Sequence, residues 1–543
     1  MTGQSMVQIR FHGAAQCVTG FCAEVVTDTS RILVDCGLFQ GPKSLKALNY
    51  EPLPFDPASI DAVVLTHAHI DHSGLLPKLM KAGFDGPIYA TAATRDLCAV
   101  MLPDAGGIQE SEVRFRNRRS QRRGRDPVEP IYTAEDGLAV IEQFRRVKIG
   151  DPVAVTPDIE AVYWPAGHIL GAASIALKIG TGETSQTLLF SGDLGPGGSE
   201  FVADPQAPAG IDHLILESTY GDRERAPPDP VARRAALAAE LTAAKAEGGP
   251  LLLPAFAVER TQELLVDLLT VMEDGDAPAG DIFLDSPLAI EATEVFLQRG
   301  WNADSGVNPF EAVRPTGRLR FLSRPDESDR LETLKGWHII VAASGMCDAG
   351  RVRKHLKRLL WRGDATVLLS GFQAAGTLGR LLSEGARRVT IQGEEIKVRA
   401  RVRSLDSYSG HADAKGLEAW ARARAPIRGG VFLAHGEPAA LEALKGRLSG
   451  LVPDDRIAIP ELGQTFTLRP GAFEAEKDWR ARLSQPPTRL DWHNQRTALL
   501  MDLNAALNHL PDDAAREALI HAIRDQLASQ APDRGEVAAA APG

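Results

Sequence analysis

The chain has 543 residues, of which 44% are hydrophobic and 24% are charged, and its formal net charge is −11. This composition is that of a globular protein, and the length exceeds what one hydrophobic core organises, so we expect two or more domains. The acidic charge argues against a protein that coats nucleic acid indiscriminately, although a local basic groove is compatible with it.

The cysteines and the start of the chain exclude further classes. The five cysteines include no C-x-x-C pair, so the sequence predicts neither a disulfide framework nor a thiolate zinc site. The first residues lack the apolar stretch of a secretory signal, and no run approaches the roughly 18 apolar residues of a membrane span. We therefore expect a cytoplasmic protein that does not enter a membrane.

Short apolar runs that end in polar residues dominate the first two hundred residues. Such runs are typical of buried strands, and functional side chains commonly sit on the loops that follow them. The runs lie at residues 31–37, 61–67, 161–168, 186–193 and 213–219.

The segment VVLTHAHIDHSG carries an unusual concentration of polar ligands directly after one of these runs. Neutral imidazole and carboxylate groups are good ligands for Zn²⁺ and similar divalent ions. His67 and His69 can turn toward one ion. Asp71 and His72 can then turn toward a neighbouring one. A polar surface loop is the alternative, but three histidines and one aspartate in six positions favour metal binding.

Three further strand ends supply the groups that a two-metal site still lacks. They are His168 in PAGHILGAAS, Asp193 in FSGDLG and His435 in FLAHGE. An aspartate between two ions can bridge them through its two oxygens. Each histidine taken alone is equally well explained as a hydrogen-bonded structural residue. Their repeated placement at strand ends is what indicates one common site.

The middle of the chain has a different character. From about residue 219 a Pro-rich opening leads into an Ala/Leu-rich helical stretch with a Gly stop, and strands then alternate with helical stretches. That alternation is typical of an α/β unit with a parallel sheet. The short-strand pattern returns after about residue 395. We therefore expect one domain at 6–217 and 396–468, interrupted by an inserted α/β domain at 218–395.

The C-terminal part, 469–543, differs from both domains. Residues 492–529 have a helical pattern, with apolar side chains at i, i+3 and i+4 spacing at Leu499, Leu500, Leu503 and Leu507. The last dozen residues have the composition of a disordered segment. We expect a helical extension with a disordered end.

The strand-end motifs resemble the metallo-β-lactamase superfamily. The resemblance rests on H-x-H-x-D-H at 67–72, on His168 and Asp193, and on the earlier strand-end Asp35. It implies an α/β fold built as an αβ/βα sandwich, with two Zn²⁺ per chain. Asp35 would orient a ligand or the loop rather than bind metal. Without the family, a turn aspartate before Gly37 explains this residue equally well.

The inserted domain resembles the β-CASP branch of that superfamily, which contains nucleases that process nucleic acids. Three further motifs carry this resemblance, namely LESTYG with Glu217, SYSGHAD with His411 and FLAHGE with His435. PAFAVERTQELL and DSPLA are similar to the RNA-acting group that contains the cleavage and polyadenylation endonuclease and its bacterial and archaeal relatives. DNA-processing members typically carry valine at the third motif, so His435 implies RNA. The resemblance covers residues 6–468.

The resemblance also implies a division of labour among these residues. One zinc would be bound by His67, His69 and His168, and the other by Asp71, His72 and His435, with Asp193 bridging. A hydroxide bridging the metals would attack the phosphodiester. His411 would be the general acid, and Glu217 would hold it protonated. Endonucleolytic cleavage of RNA, with 5′-exonuclease action left open, would give 5′-phosphate and 3′-hydroxyl products. Members of the family often form dimers, so a homodimer is also implied.

Two strand-to-helix turns and one basic stretch are candidates for substrate contact. Ser344–Gly345 and Ser370–Gly371 end strands of the inserted domain, where amides at a helix N-terminus suit phosphate. A tight turn that needs glycine explains them equally well. The stretch RFRNRRSQRRGR, at 114–125, holds seven arginines. It can attract an RNA backbone, or form a helix that pairs with acidic neighbours.

Three other functions compete with a zinc-dependent ribonuclease. A small-molecule hydrolase of the same superfamily is disfavoured by the inserted domain and by the pair Glu217 and His411. A DNA nuclease is disfavoured by His435. An RNA-binding scaffold without catalysis is disfavoured by the full set of metal ligands.

Overall fold

The computed structural model describes residues 6–121, 126–182, 185–226, 229–300, 308–315, 317–371, 373, 377–477, 503, 506–507 and 510–530. The chain divides into two compact units, residues 1–488 and residues 489–543. The predicted disordered end lies outside the described residues, and so do Leu499 and Leu500, two of the four leucines of the predicted pattern.

The described residues form the following strands: β1 (Val7–Gly13), β2 (Cys22–Val26), β3 (Arg31–Val34), β4 (Ala62–Val64), β5 (Ile88–Thr91), β6 (Phe144–Val147), β7 (Pro152–Thr156), β8 (Ile159–Pro165), β9 (Ala173–Ile179), β10 (Gln186–Phe190), β11 (His213–Glu217), β12 (Leu251–Pro254), β13 (Ile282–Leu284), β14 (Leu319–Phe321), β15 (Ile339–Ala342), β16 (Thr366–Ser370), β17 (Arg388–Ile391), β18 (Glu394–Lys397), β19 (Arg401–Leu405), β20 (Gly430–Ala434), β21 (Ile457–Ala458), β22 (Thr465–Arg469) and β23 (Ala472–Ala475).

The helices within the same residues are α1 (Lys43–Leu48), α2 (Ile70–Ser73), α3 (Leu76–Lys81), α4 (Ala92–Gln121), α5 (Ala134–Ala139), α6 (Pro230–Glu247), α7 (Arg260–Glu273), α8 (Pro287–Arg299), α9 (Pro325–Arg330), α10 (Val352–Leu359), α11 (Leu378–Ser383), α12 (Ala414–Arg422), α13 (Pro438–Arg447) and, in the second unit, α14 (Asp513–Gln530).

Two sheets form the sandwich that carries the site. The strand order of the first is β23-β22-β1-β2-β3-β4-β5-β6, and that of the second is β21-β20-β11-β10-β9-β8-β7. Their facing sides share one apolar core, in which the ring of Phe432 lies 5.8 Å from that of Phe11 and 5.0 Å from that of Phe466. Helices α3 and α4 cover the outside of the first sheet, and α12 and α13 cover the second. This is the predicted αβ/βα sandwich.

The inserted part forms its own sheet, with the strand order β14-β13-β15-β12-β16-β19. All the strand pairs in this sheet are parallel, as the alternation of strands and helices in the sequence predicts. The helix predicted after residue 219 is α6, where the Asp229 side chain accepts the amides of Val231 and Ala232 and Pro230 occupies the first turn. Gly248 ends it in the left-handed conformation.

Two strands lie outside the domain boundaries expected from the sequence. β19 pairs with β16, so the sheet of the inserted part extends beyond residue 395. Its apolar signal is weak because it is an edge strand with exposed polar side chains. β23 pairs with β22 and adds an edge strand to the first sheet, so the sandwich extends beyond residue 468. Among the residues that the structure describes, no helix combines the length and the hydrophobicity needed to cross a bilayer.

Candidate metal centre

The predicted ligands converge because the strands that precede them run in the same direction. In the second sheet β10, β11 and β20 are parallel, and Asp193, Glu217 and His435 follow or end them. In the first sheet β3 and β4 are parallel, and Asp35 and His67 follow them. The backbones of Asp35 and His435 have φ values of 60° and 52°. This left-handed conformation is rare outside glycine and is tolerated mainly at functional sites.

One group of ligand atoms joins His67, His69, His168 and Asp193, and all four atoms lie within 4.8 Å of one another. His69 Nδ1 lies 3.2 Å from His67 Nε2 and 3.1 Å from His168 Nε2. Asp193 Oδ2 lies 3.6 Å from His67 Nε2 and from His168 Nε2. The structure thus brings the first predicted ligand set together.

A second group joins Asp71, His72 and His435 beside the first. The Nε2 atoms of His72 and His435 are 3.3 Å apart, and Asp71 Oδ2 lies 3.4 Å from His435 Nε2. The other oxygen of Asp193, Oδ1, lies 3.3 Å from His72 Nε2. Asp193 therefore presents one carboxylate oxygen to each group.

The chemistry of this donor set fits two divalent ions. Asp193 Oδ1 is fully buried and accepts no hydrogen bond from any described residue. Burial lowers the pKa of His67 and His168 well below the ordinary value for histidine, so both rings are neutral and their lone pairs are available. Imidazole nitrogens with a few carboxylate oxygens are a combination that Zn²⁺ prefers. A cation between the two groups would bind the atoms that lack partners.

Hydrogen bonds at the rear of the rings fix the ligand orientations. Asp35 Oδ2 lies 2.7 Å from His72 Nδ1 and accepts a hydrogen bond of the same length from Thr66 Oγ1. Thr66 Oγ1 also contacts His67 Nδ1 at 3.0 Å. Asp35 therefore lies behind the ligands and orients one from each group, which is how outer partners of a metal site act.

The two distant histidine ligands are held in the same way. His168 Nδ1 donates to the carbonyl of Gly410 at 2.7 Å, and His435 Nδ1 contacts Thr219 Oγ1 at 3.1 Å. Gly410 belongs to the loop of His411, so the first metal group and that loop are directly linked. Glu259 Oε2 accepts the amide of Leu170 at 2.8 Å and attaches the inserted part to the loop of His168.

His411 and Glu217 form a pair beside the two groups. His411 Nδ1 lies 3.2 Å from Glu217 Oε1, and its ring lies 4.5 Å from the ring of His168. Burial alone would lower the pKa of His411, but the carboxylates of Glu217, Asp193 and Asp71, with Glu217 first among them, raise it above the ordinary value. Because Nδ1 faces Glu217, Nε2 is the nitrogen that remains for proton transfer to a substrate.

Phosphate contact at Ser344–Gly345 and Ser370–Gly371 stays a prediction, and the structure shows partners for two polar groups of the second turn. Ser370 Oγ donates to the carbonyl of Pro254 and the Gly371 amide donates to the carbonyl of Leu405, so both groups are already used. The next described helices, α10 and α11, begin at Val352 and Leu378.

Two arginines near the site were not anticipated. Arg225 donates through Nη2 to the carbonyl of His411, and Arg260 lies against Ser370 and Gly371. Arg260 lies in PAFAVERTQELL, but that motif indicated only the family. The pairing of Arg225 with a loop nearly two hundred residues away left no local signal.

The described part of the basic stretch, residues 114–121, forms the end of α4. Arg114, Arg116 and Arg118 are exposed, and Phe115 is 65% exposed. The remaining arginines at 122–125 lie outside the described residues. Contact between this helix and RNA stays a prediction.

Three family models match the chain in succession. The metallo-beta-lactamase superfamily model matches residues 16–236, and the Beta-Casp domain model matches residues 261–382. A model described as a Zn-dependent metallo-hydrolase RNA specificity domain matches residues 395–456.

Curated proteins are similar over most of the chain. Ribonuclease TTHA0252 of Thermus thermophilus is 35% identical over 81% of this chain and 95% of its own length. An RNase J-like protein of Methanocaldococcus jannaschii is 31% identical over 80% of this chain and 93% of its own length. The transcription termination factor FttA of Cenarchaeum symbiosum is 30% identical over 77% of this chain and 64% of its own length.

Proposed function

Because the chain belongs to the β-CASP branch of the metallo-β-lactamase superfamily and is a metal-dependent ribonuclease of that branch, we propose that it hydrolyses single-stranded RNA with two zinc ions. The observation that carries the proposal is the position of Asp193, which offers one oxygen to each of two histidine-rich groups. That arrangement is typical of a two-metal hydrolase that acts on phosphate esters.

The proposed ligands keep the division expected from the sequence. His67, His69 and His168 would hold one zinc, Asp71, His72 and His435 the other, and Asp193 both. When bound, the ions lower the pKa of water toward neutrality and stabilise negative charge on phosphoryl oxygens. The hydrogen bonds of Asp35, Gly410 and Thr219 to the ligand rings keep the donor atoms aligned before substrate binds.

His411 is proposed to protonate the leaving oxygen. Cleavage between phosphorus and the 3′ oxygen needs a proton on that oxygen, and a protonated imidazole supplies it near neutral pH. Glu217 accepts the amide of Leu194 at 2.6 Å through the same Oε1 that faces His411, so the carboxylate is held in place. The products would be a 3′-hydroxyl and a 5′-phosphate.

Zinc removal and substrate choice test this proposal together. Purified protein loaded with Zn²⁺ receives single-stranded RNA labelled at the 5′ or 3′ end, beside DNA of the same sequence. We expect RNA cleavage that a chelator abolishes and that returns with about two Zn²⁺ per chain, while the DNA stays intact.

The product ends and the ladder complete the test. Ligation of the downstream fragment reports its 5′-phosphate, and the ladder from each label separates internal cleavage from stepwise trimming. Intact RNA at full zinc occupancy would refute ribonuclease action, and preferential DNA cleavage would favour the DNA nuclease.

Glu217→Gln is expected to change the pH profile of cleavage. The Glu217 carboxylate raises the pKa of His411, and glutamine removes that charge while keeping a similar shape. Because the acid form of His411 is the active one, the rate loss on the alkaline side should begin at lower pH than in the wild type. At acidic pH the loss should stay below the roughly 10²–10⁴-fold that general acid catalysis supplies.

Glu24→Gln is the matched control for this profile. Glu24 is also a buried carboxylate paired with a histidine, with its Oε2 2.8 Å from His12 Nε2, but it belongs to β2, away from the ligands. The Glu24→Gln variant should lower the stability of the fold without moving the pH profile of cleavage. An unchanged pH profile in Glu217→Gln would contradict the proposal that Glu217 keeps His411 protonated.

A further inference from the structure

The connections of the sheet in the inserted part diverge between two neighbouring strands. β12 and β16 are neighbours, and the chain leaves β12 toward β13 on one side and β16 toward β19 on the other. In open parallel sheets, ligands bind at the carboxyl edge where connections diverge in this way. Arg260, the first residue of α7, lies at this edge, where it contacts the carbonyl of Ser370 at the end of β16. A methyl group on Gly371 would come within 2.4 Å of its Nη1.

The guanidinium of Arg260 is buried and has few partners among the described residues. The residue is only 9% exposed, and the one side-chain hydrogen bond that it makes to a described residue is a long contact of 3.4 Å from Nη1 to the carbonyl of Ser370. No carboxylate of a described residue lies within ion-pair distance of it. The Glu263 carboxylate is near enough to act against the lowering of the Arg260 pKa. The side chain of the neighbouring Glu259 accepts the amide of Leu170 instead of pairing with Arg260. A buried cation without a counter-ion is costly unless an anion joins it.

Arg225 places a second guanidinium on the same side of the site, over Tyr220, whose hydroxyl lies 3.3 Å from Ser409 Oγ in the loop of His411. Burial lowers the pKa of Arg260, the Glu263 carboxylate opposes this effect, and the like charge of Arg225 adds to it. Arg225 lies 4.6 Å above the ring of Tyr220, donates to the carbonyl of His411, and has a buried Nε without a partner in the described chain. Both guanidiniums therefore keep donors that an anion can engage.

We propose that Arg225 and Arg260 form a phosphate-binding subsite for the RNA substrate, on the side of the metal centre where His411 lies. Arginine suits this task because its planar donors match the oxygens of a phosphate. His411 protonates the leaving 3′ oxygen, so the subsite holds the phosphate on the 5′ side of the nucleotide that carries this oxygen. The inference rests on the proposed function.

Arg260→Gln tests the subsite through KM. Charge-assisted hydrogen bonds of this kind contribute about 1.5–3 kcal/mol, so KM should rise about 10- to 100-fold. At saturating RNA, kcat should stay near the wild-type value, because Arg260 touches neither the metal ligands nor His411. Arg403→Gln, which removes an exposed arginine paired with Glu240 on the edge strand β19, should change neither constant.

An RNA with one uncharged linkage separates phosphate binding from a structural role. A methylphosphonate replaces the phosphate on the 5′ side of the leaving nucleotide. On this RNA the KM of the wild type should rise by about the same factor as Arg260→Gln raises KM on normal RNA. The KM of Arg260→Gln should rise little further when the modified RNA replaces the normal one. Equal losses in both proteins would overturn the subsite. Unchanged melting temperature and zinc content exclude misfolding.

Two further measurements identify the type of phosphate and test the subsite independently of cleavage. In the first, the RNA is cleaved after its first nucleotide, which carries either a 5′-phosphate or a 5′-hydroxyl. The comparison shows whether the subsite binds a terminal phosphate monoester or only an internal diester. If the wild type cleaves no RNA, the proposed function fails independently. RNA binding by the zinc-loaded His411→Ala variant, with and without Arg260→Gln, then reports on the subsite alone. Equal affinities would overturn it.

Discussion

Asp193→Asn is expected to lower RNA cleavage by about 10³-fold or more and to leave the protein with less than its full zinc. The wild-type carboxylate reaches His67 and His168 with one oxygen and His72 with the other, so its loss removes a donor from both groups. Metal ions contribute several kcal/mol of transition-state stabilisation, and each 1.36 kcal/mol is a factor of ten in rate. Zinc content by elemental analysis and single-turnover rates measure both effects.

Asp158→Asn is the control for this substitution. Asp158 accepts hydrogen bonds from Thr27, Ser30 and Thr156 at the far end of the sandwich, so its loss should reduce stability alone. If Asp193→Asn kept two zinc ions and near wild-type cleavage, the proposed bridging role would be refuted.

His411→Ala is expected to reduce the cleavage rate by about 10²–10⁴-fold while zinc content and RNA affinity stay close to those of the wild type. The side chain lies beside the ligand groups but serves neither of the two proposed metal sites, and its Nδ1 faces Glu217. The loss should therefore appear in kcat. His213→Gln, which replaces another buried histidine whose Nε2 contacts the carbonyl of Arg469, should leave kcat unchanged.

A substrate with sulfur in place of the 3′ oxygen gives the sharper version of this experiment. A thiolate leaves without protonation, because the pKa of a thiol is far below that of an alcohol. On this RNA the difference between wild type and His411→Ala should nearly disappear. An undiminished difference would show that His411 does something other than protonate the leaving group.

The site was predictable because its ligands follow apolar strands that the sequence marks clearly. His67, His69, Asp71 and His72 are adjacent in the chain, so short-range spacing suffices to associate them with metal. Asp193 was predicted to bridge, and the structure gives each of its oxygens to a different histidine group. These positions follow from the parallel direction of the preceding strands, which buried apolar runs predict well.

Contacts between distant segments were beyond the reach of the sequence. β19 alternates arginines with small or apolar residues, and its place beside β16 depends on pairing across the chain rather than on its own pattern. The turns at Ser370–Gly371 looked like phosphate sites because glycine at a strand end is ambiguous. In the structure the Ser370 hydroxyl and the Gly371 amide are bonded to neighbouring backbone, and Arg260 occupies the space beside Gly371.

The hydrogen bond between Glu259 and the Leu170 amide connects two parts of the proposed site. It joins the start of α7, where Arg260 also lies, to the loop that presents His168. A shift of the inserted part on RNA binding would therefore act on a proposed metal ligand. If zinc tightens RNA binding by some factor, thermodynamic linkage requires that RNA tightens zinc binding by the same factor. When zinc is scarce, protein engaged with RNA would be the last to lose its ions.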